Sequence, residues 1–332
     1  MENFIKYVNI HNFKSVVDLK LEDCRRINLF IGYPNVGKSN VLEALGSFSV
    51  PFLEKGESLN KLIRVENKNE LFYRSSQKCS AIKTNQGDIT FASDEQLTMI
   101  IDYSWGCYGF SFTDDLKINR DSSTIISKIK NIKRYTFQTN NQWKSNGNVQ
   151  LLPPFGENII DTLSYNSNVS DVKVWMKQEF KKFGLEYVLD KSSNNLKVQQ
   201  RLDSDEVMQL PYSSIADTLQ RVIFYKTVIA SNKNSVLLFE EPEAHAFPPY
   251  IRNITQDIID AKTNQFFIVT HSPFIVNDFL EYADLRKEVA IYLFDFKNDQ
   301  TTVKRLTEEE LDEVYNYGID LFFNIESFLR DE

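Results

Sequence analysis

Positions 32–39 read GYPNVGKS, two glycines five residues apart followed by a lysine and a serine. That is G-x-x-x-x-G-K-[ST], a loop whose backbone N–H groups turn inward around phosphate oxygens. Gly32 and Gly37 permit the close backbone approach, Lys38 neutralises β- and γ-phosphate charge, and the Ser39 hydroxyl is a ligand for Mg²⁺. With Asn35, Val36 and Asn40 they make up the expected binding loop for ATP, and the helix that follows adds its positive end. The glycines stand out because the chain has only 11 in 332 residues, about half the usual share.

Two further stretches carry chemistry. Positions 235–245, SVLLFEEPEAH, are an apolar run ending in two adjacent carboxylates. Glu240 is suited to ligate Mg²⁺ or orient its water shell, and Glu241 to act as general base toward water. Positions 266–273, FFIVTHSP, are a second apolar run ending in His271, a residue able to contact the γ-phosphate or hold the attacking water.

The elements that must position these groups are legible from pattern. Residues 5–10, 16–21 and 27–31 are predicted strands with polar turns between them, and Val41, Leu42, Leu45 and Phe48 recur at helical spacing after the loop. Residues 235–239 and 265–269 are apolar on both faces and alternate with predicted helices at 215–229 and 250–261, the signature of a parallel sheet covered on both sides. Residues 290–296 and 301–305 flank a turn as a hairpin, and an apolar helix closes the chain around 319–329. Residues 51–204 are less regular, with strand-like runs at 89–91 and 99–101, Asn- and Ser-rich loops such as Asn140-Asn141, and a helical run at 172–183. They read as an insertion of mixed β and helical character between two parts of one core, 1–50 and 205–332, and as the region that binds a partner.

The order of motifs resembles the ABC-class ATP-binding proteins, the SMC and RecF ATPases and above all the ATPase domain of OLD-like proteins. The likeness rests on IHNFKS at 10–15 with the glycine loop at the front, and on FEEPEAH at 239–245 with THS at 270–272 at the back. It implies an α/β fold with an ABC-type P-loop domain, an N-terminal antiparallel β segment and a mixed α+β insertion. It implies Lys38 and Ser39 in Walker A, Glu240 and the catalytic Glu241 in Walker B, and His271 as switch histidine. It also implies a homodimer or higher homo-oligomer in which a signature segment caps the nucleotide of the opposite subunit. The positional equivalent is YSSIAD at 212–217, in which Ser213 and Ser214 take the place of a glycine loop. Ser214 and Asp217 also fit an S-x-x-D capping box for the helix at 215–229. The expectation is a Mg²⁺-dependent ATPase without a Toprim nuclease domain, regulating a separate effector, a nuclease or toxin, in a bacterial anti-phage system. A DNA-clamping ATPase of repair and a slowly hydrolysing scaffold are the alternatives.

Composition bounds these readings. A net charge of −8 gives no protein-wide attraction to nucleic acid, so DNA contact falls to local clusters: Lys128, Lys130, Lys133 and Arg134, or Lys177, Lys181 and Lys182. No run of eighteen apolar residues or leader pattern occurs, so a cytoplasmic protein without membrane contact is expected. Cys24, Cys79 and Cys107 are widely spaced and read as buried free thiols rather than a disulfide or zinc framework.

Overall fold

The computed structural model describes residues 4–75, 78–119, 132–139, 143–203, 205–281 and 283–330. Strands β1 (Val8–Phe13), β2 (Val16–Leu21) and β3 (Ile27–Gly32) lead into helix α1 (Lys38–Gly46). After short 3-10 turns come β4 (Cys79–Thr84), β5 (Gly87–Ser93), β6 (Leu97–Tyr103), β7 (Gly106–Phe112) and β8 (Ile132–Tyr135). Helices α2 (Ile159–Tyr165) and α3 (Ser170–Lys182) precede β9 (Glu186–Asp190), β10 (Asn195–Arg201), β11 (Val207–Pro211) and α4 (Asp217–Ser231). Then follow β12 (Val236–Glu240), α5 (Pro248–Asp260), β13 (Gln265–Val269), α6 (Pro273–Leu280) and α7 (Ala283–Arg286). The described chain ends with β14 (Val289–Lys297), β15 (Gln300–Arg305), α8 (Glu308–Asn316) and α9 (Leu321–Leu329).

Two compact units result: Met1–Arg134 with Asn234–Glu241 and Thr263–Glu332, and Tyr135–Lys233 with Pro242–Lys262. The first unit contains the expected parallel sheet, in the order β15-β14-β3-β13-β12-β8. β14, β3, β13 and β12 run parallel, with Tyr292 and Val269 both opposite Phe30 and Val269 opposite Glu240. This register brings the C-terminal ends of β3, β13 and β12 to one edge, the edge at which ligands bind in such sheets. Every residue of β3 and β13 is buried. Phe30 packs between Phe267, Tyr292 and Phe294, with ring centroids at 6.0, 5.9 and 5.0 Å.

The unit's other sheet is antiparallel, β2-β1-β4-β5-β6-β7. β1 starts later than predicted, because Phe13 pairs with Val16 and the reversal therefore falls at Lys14 and Ser15. The compact units do not follow the expected division at residues 50 and 205. Ile10 pairs with both Leu19 and Ile82, so β4 to β7 continue the sheet that β1 begins. β6 shows the buried-exposed alternation of a sheet with one solvated face. Cys79 and Cys107 occupy outward positions of this sheet and are exposed, contrary to the expectation of buried thiols; only Cys24 is partly buried.

The second unit joins the antiparallel sheet β11-β10-β9 to helices α2 to α5. Lys226 on α4 ion-pairs with Asp257 on α5 at 2.7 Å, and the Tyr250 hydroxyl of α5 donates to Glu179 on α3 at 3.1 Å. Among the described residues no helix is long and apolar enough to cross a membrane. Of the two predicted basic patches, Lys177, Lys181 and Lys182 are exposed on α3. Lys133 and Arg134 are not surface charges: they lie on β8 and are buried. Lys128, Lys130 and the Asn140-Asn141 loop lie outside the described residues.

Candidate functional site

The glycine loop joins β3 to α1 as predicted, and its two glycines are demanded by packing as well as by function. A Cβ on Gly32 would sit 2.5 Å from the Phe294 carbonyl oxygen. Gly37 has φ +98°, and a Cβ there would lie 2.0 Å from Thr301 Oγ1. Asn35 also takes a positive φ, 65°, a conformation asparagine tolerates better than most residues. The Val36 side chain is buried in the core, leaving its backbone in the loop. The Asn40 amide is spent on structure: Nδ2 donates to Ser15 Oγ at 2.7 Å, and Ser15 Oγ lies 2.7 Å from Thr301 Oγ1.

Lys38 folds back over the loop, its ammonium donating to the carbonyls of Gly32 at 2.8 Å and Tyr33 at 2.7 Å. Burial lowers its pKa to about 8, against the opposing pull of Glu241 and Glu240. A phosphate at this ammonium would restore the charge that burial disfavours.

At the end of β12 the two glutamates have different surroundings. Glu240 is 17% exposed; its Oε2 accepts from Arg134 at 2.7 Å and its Oε1 from Arg64 at 3.0 Å. Burial would raise its pKa, but Arg134, the Ser39 hydroxyl and Arg64 together hold it below the usual carboxylate range. The Ser39 hydroxyl lies close enough to the Glu240 carboxylate to help hold its pKa down, and both are hard oxygen donors of the kind Mg²⁺ takes. Glu241 takes φ +44° while its N–H donates to the Val269 carbonyl at 2.9 Å. A left-handed glutamate is costly, and such strain concentrates at functional sites. Its Oε1 lies 3.6 Å from His271 Nε2 at the end of β13. Burial and the nearby Lys38 charge depress the His271 pKa, with Glu241 opposing, which favours neutral imidazole at neutral pH.

Sequence reasoning missed the ionic cluster behind Glu240. Glu43, one helical turn beyond Ser39 on α1, is fully buried and accepts from Lys14 at 2.6 Å and from Arg64 Nε at 2.6 Å, with Arg134 at 3.7 Å. Arg134 also donates to the Leu62 carbonyl. A carboxylate inside the apolar run Val41 to Leu45 of α1 was the available signal, since such a group must find cations if that run is buried.

Residues 110–277, half of the chain, match the family described as "AAA domain, putative AbiEii toxin, Type IV TA system". The chain belongs to this family. It is a P-loop ATPase with an ABC-type fold. A stretch of 70 residues is 33% identical to the DNA replication and repair protein RecF of Caldanaerobacter subterraneus subsp. tengcongensis, covering 21% of this chain and 19% of that protein. The fold is that of SMC heads. An SmcHead bound to the C-winged helix domain of ScpA matches over 92% of this chain and 99% of its own at 14% identity, TM-score 0.53. An Smc head with an extended coiled coil, bound to the C-terminal domain of ScpA derived from Pyrococcus furiosus, matches over 98% and 100% at 13% identity, TM-score 0.55.

Within this AAA-domain protein, Gly32, Lys38, Ser39, Glu240, Glu241 and His271 all belong to the first unit. Ser213 and Ser214 belong to the second, where they are exposed in a 3-10 turn, Tyr212–Ser214. The predicted capping box does not form. Ile215 and Ala216 are extended, so α4 starts at Asp217 with no side-chain cap, and Ser214 falls outside capping reach. Thr218 Oγ1 donates instead to the His245 carbonyl at 2.7 Å.

Proposed function

We propose that the chain is a Mg²⁺-dependent ATPase acting as an ATP-gated homodimeric switch for a separate effector protein. The observation that carries this reading is the convergence of Lys38, Ser39–Glu240 and Glu241–His271 at one edge of the parallel sheet. Lys38 and the loop amides bind the β- and γ-phosphates. Ser39 and Glu240 would hold Mg²⁺, which supplies charge neutralisation at the phosphate oxygens when bound. Among the described residues no cluster of three or more His, Cys, Asp or Glu side chains suits a metal. That fits an ion held by one or two protein oxygens and completed by substrate phosphates. Glu241, half exposed and loosely placed beside His271, takes a proton from the attacking water, and the neutral His271 orients that water or the γ-phosphate. The exposed Ser213–Ser214 turn is the segment proposed to reach the nucleotide of a second copy.

The effector reading draws on the family description, which names a toxin of a Type IV system, and on the SMC heads, whose structures were solved with a bound partner. It extends to a role in defence against phage, in the cytoplasm, with residues 51–204 contributing the partner surface. The test is Glu241→Gln, which keeps shape but cannot accept the proton. ATP binding is expected to persist while hydrolysis falls roughly 10²- to 10⁴-fold. Mass photometry should then show more dimer with ATP–Mg²⁺ than with ADP–Mg²⁺, and Ser214→Arg should abolish that difference. Identical size distributions in both nucleotides would discard the ATP-gated dimer. Salt-dependent DNA binding would instead favour a DNA clamp.

A further inference from the structure

The Glu240 carboxylate is divided between two guanidiniums of unequal freedom. Arg134, which holds Oε2 at 2.7 Å, is 5% exposed, donates also to the Leu62 carbonyl, and lies 3.7 Å from the buried Glu43. It is fixed from three sides. Arg64, which holds Oε1 at 3.0 Å, is 61% exposed, and its Nε is separately bonded to Glu43 at 2.6 Å. Because Arg64 is mostly exposed, its planar guanidinium can swing as a unit away from Glu240 and hand the freed N–H groups to water. Losing Arg134 from Oε2 would strand a guanidinium in the interior, which is far more costly.

We propose that Arg64 is an exchangeable counter-cation at Glu240. A divalent cation entering beside Ser39 replaces the Arg64 guanidinium at Oε1, while Arg134 retains Oε2 and keeps the carboxylate oriented. The inference rests on the reading of Glu240 as a metal ligand. Its physical basis is competition: a doubly charged ion and a guanidinium within about 4 Å repel strongly in a half-buried site. Metal binding at Glu240 must therefore break the Arg64 pair, which makes Arg64 a positioning residue that sets the metal concentration needed for tight nucleotide binding.

The readout is the ratio of ATP affinity in Mg²⁺ to ATP affinity in EDTA, from titrations with a fluorescent ATP analogue. All proteins carry Glu241→Gln to prevent hydrolysis. A direct contact between Arg64 and phosphate would change both affinities and largely cancel in the ratio. Arg64→Gln, at a mostly exposed position, is expected to raise the ratio roughly fivefold, the scale of one partly exposed ion pair. Glu240→Gln is expected to collapse it. An unchanged or lowered ratio in Arg64→Gln, with collapse in Glu240→Gln, would overturn the exchange and leave Glu240 as ligand. A ratio unaffected by Glu240→Gln would remove the ligand assignment and the exchange with it.

Discussion

Glu240 and Glu241 are neighbours in sequence, yet one is caged and the other loose. Glu240 sits against Arg134, Arg64 and Ser39, with the fully buried Glu43 completing an ionic cluster behind it. Glu241 is 47% exposed and faces His271 across 3.6 Å. The two carboxylates part where regular strand geometry stops: Glu240 is the last residue of β12, and Glu241 turns into the left-handed region. One strand end thereby presents a carboxylate held by several partners beside one that is half exposed, the contrast on which the proposed metal and proton roles rest. Rigidity suits a ligand whose geometry must be ready beforehand, whereas a base has to meet water and follow the reacting phosphate.

Removing the centre of the cage should have the largest effect on stability. Glu43→Ala leaves Lys14 and Arg134 undercompensated in the interior, and urea unfolding should show a loss of about 3 kcal/mol or more, typical of a broken buried ion pair. A loss below about 1 kcal/mol would mean that Arg134 is adequately held by Glu240 and Leu62 alone.

An intermediate effect is expected on the loose side as pH rises. Because the Lys38 pKa is lowered to about 8 and phosphate binding favours the ammonium, ATP binding should take up a proton above that pH. Affinity should be nearly flat below about pH 7. It should then fall by up to about tenfold per unit above pH 8, the slope of one linked proton. Lys38→Arg, which stays charged, should flatten the profile in the same titration; a profile with the same slope in both proteins would place the titrating group elsewhere.

The smallest effect belongs to the Glu241–His271 pair. Half exposed and at 3.6 Å, it resembles a surface contact, so His271→Ala should change unfolding stability by no more than about 0.5 kcal/mol while lowering ATP turnover. A stability loss matching that of Glu43→Ala would erase the contrast between the caged and loose sides.

The sequence alone determined the phosphate loop, the two acid-tipped and histidine-tipped strands, and the hairpin formed by β14 and β15, because each is written in local spacing. A glycine-lysine loop between an apolar strand and a helix, or five consecutive buried residues as in β13, needs no distant partner to be read. Tertiary structure decided what distant partners do. Arg64, Arg134, Glu43 and Lys14 come from separate parts of the chain and become one cluster only when their elements pack. The apparent surface charge of Lys133 and Arg134 turned inward for the same reason: in β8 their neighbours, not their polarity, set their burial. The membership of β4 to β7 in the first unit was equally illegible, since it rests on pairings such as Asn9 with Lys83. The capping box failed because two extended residues displaced the helix start, a backbone choice that an S-x-x-D pattern does not encode. Local periodicity fixes which residues stand at the ends of strands, and long-range packing fixes which charges meet them there.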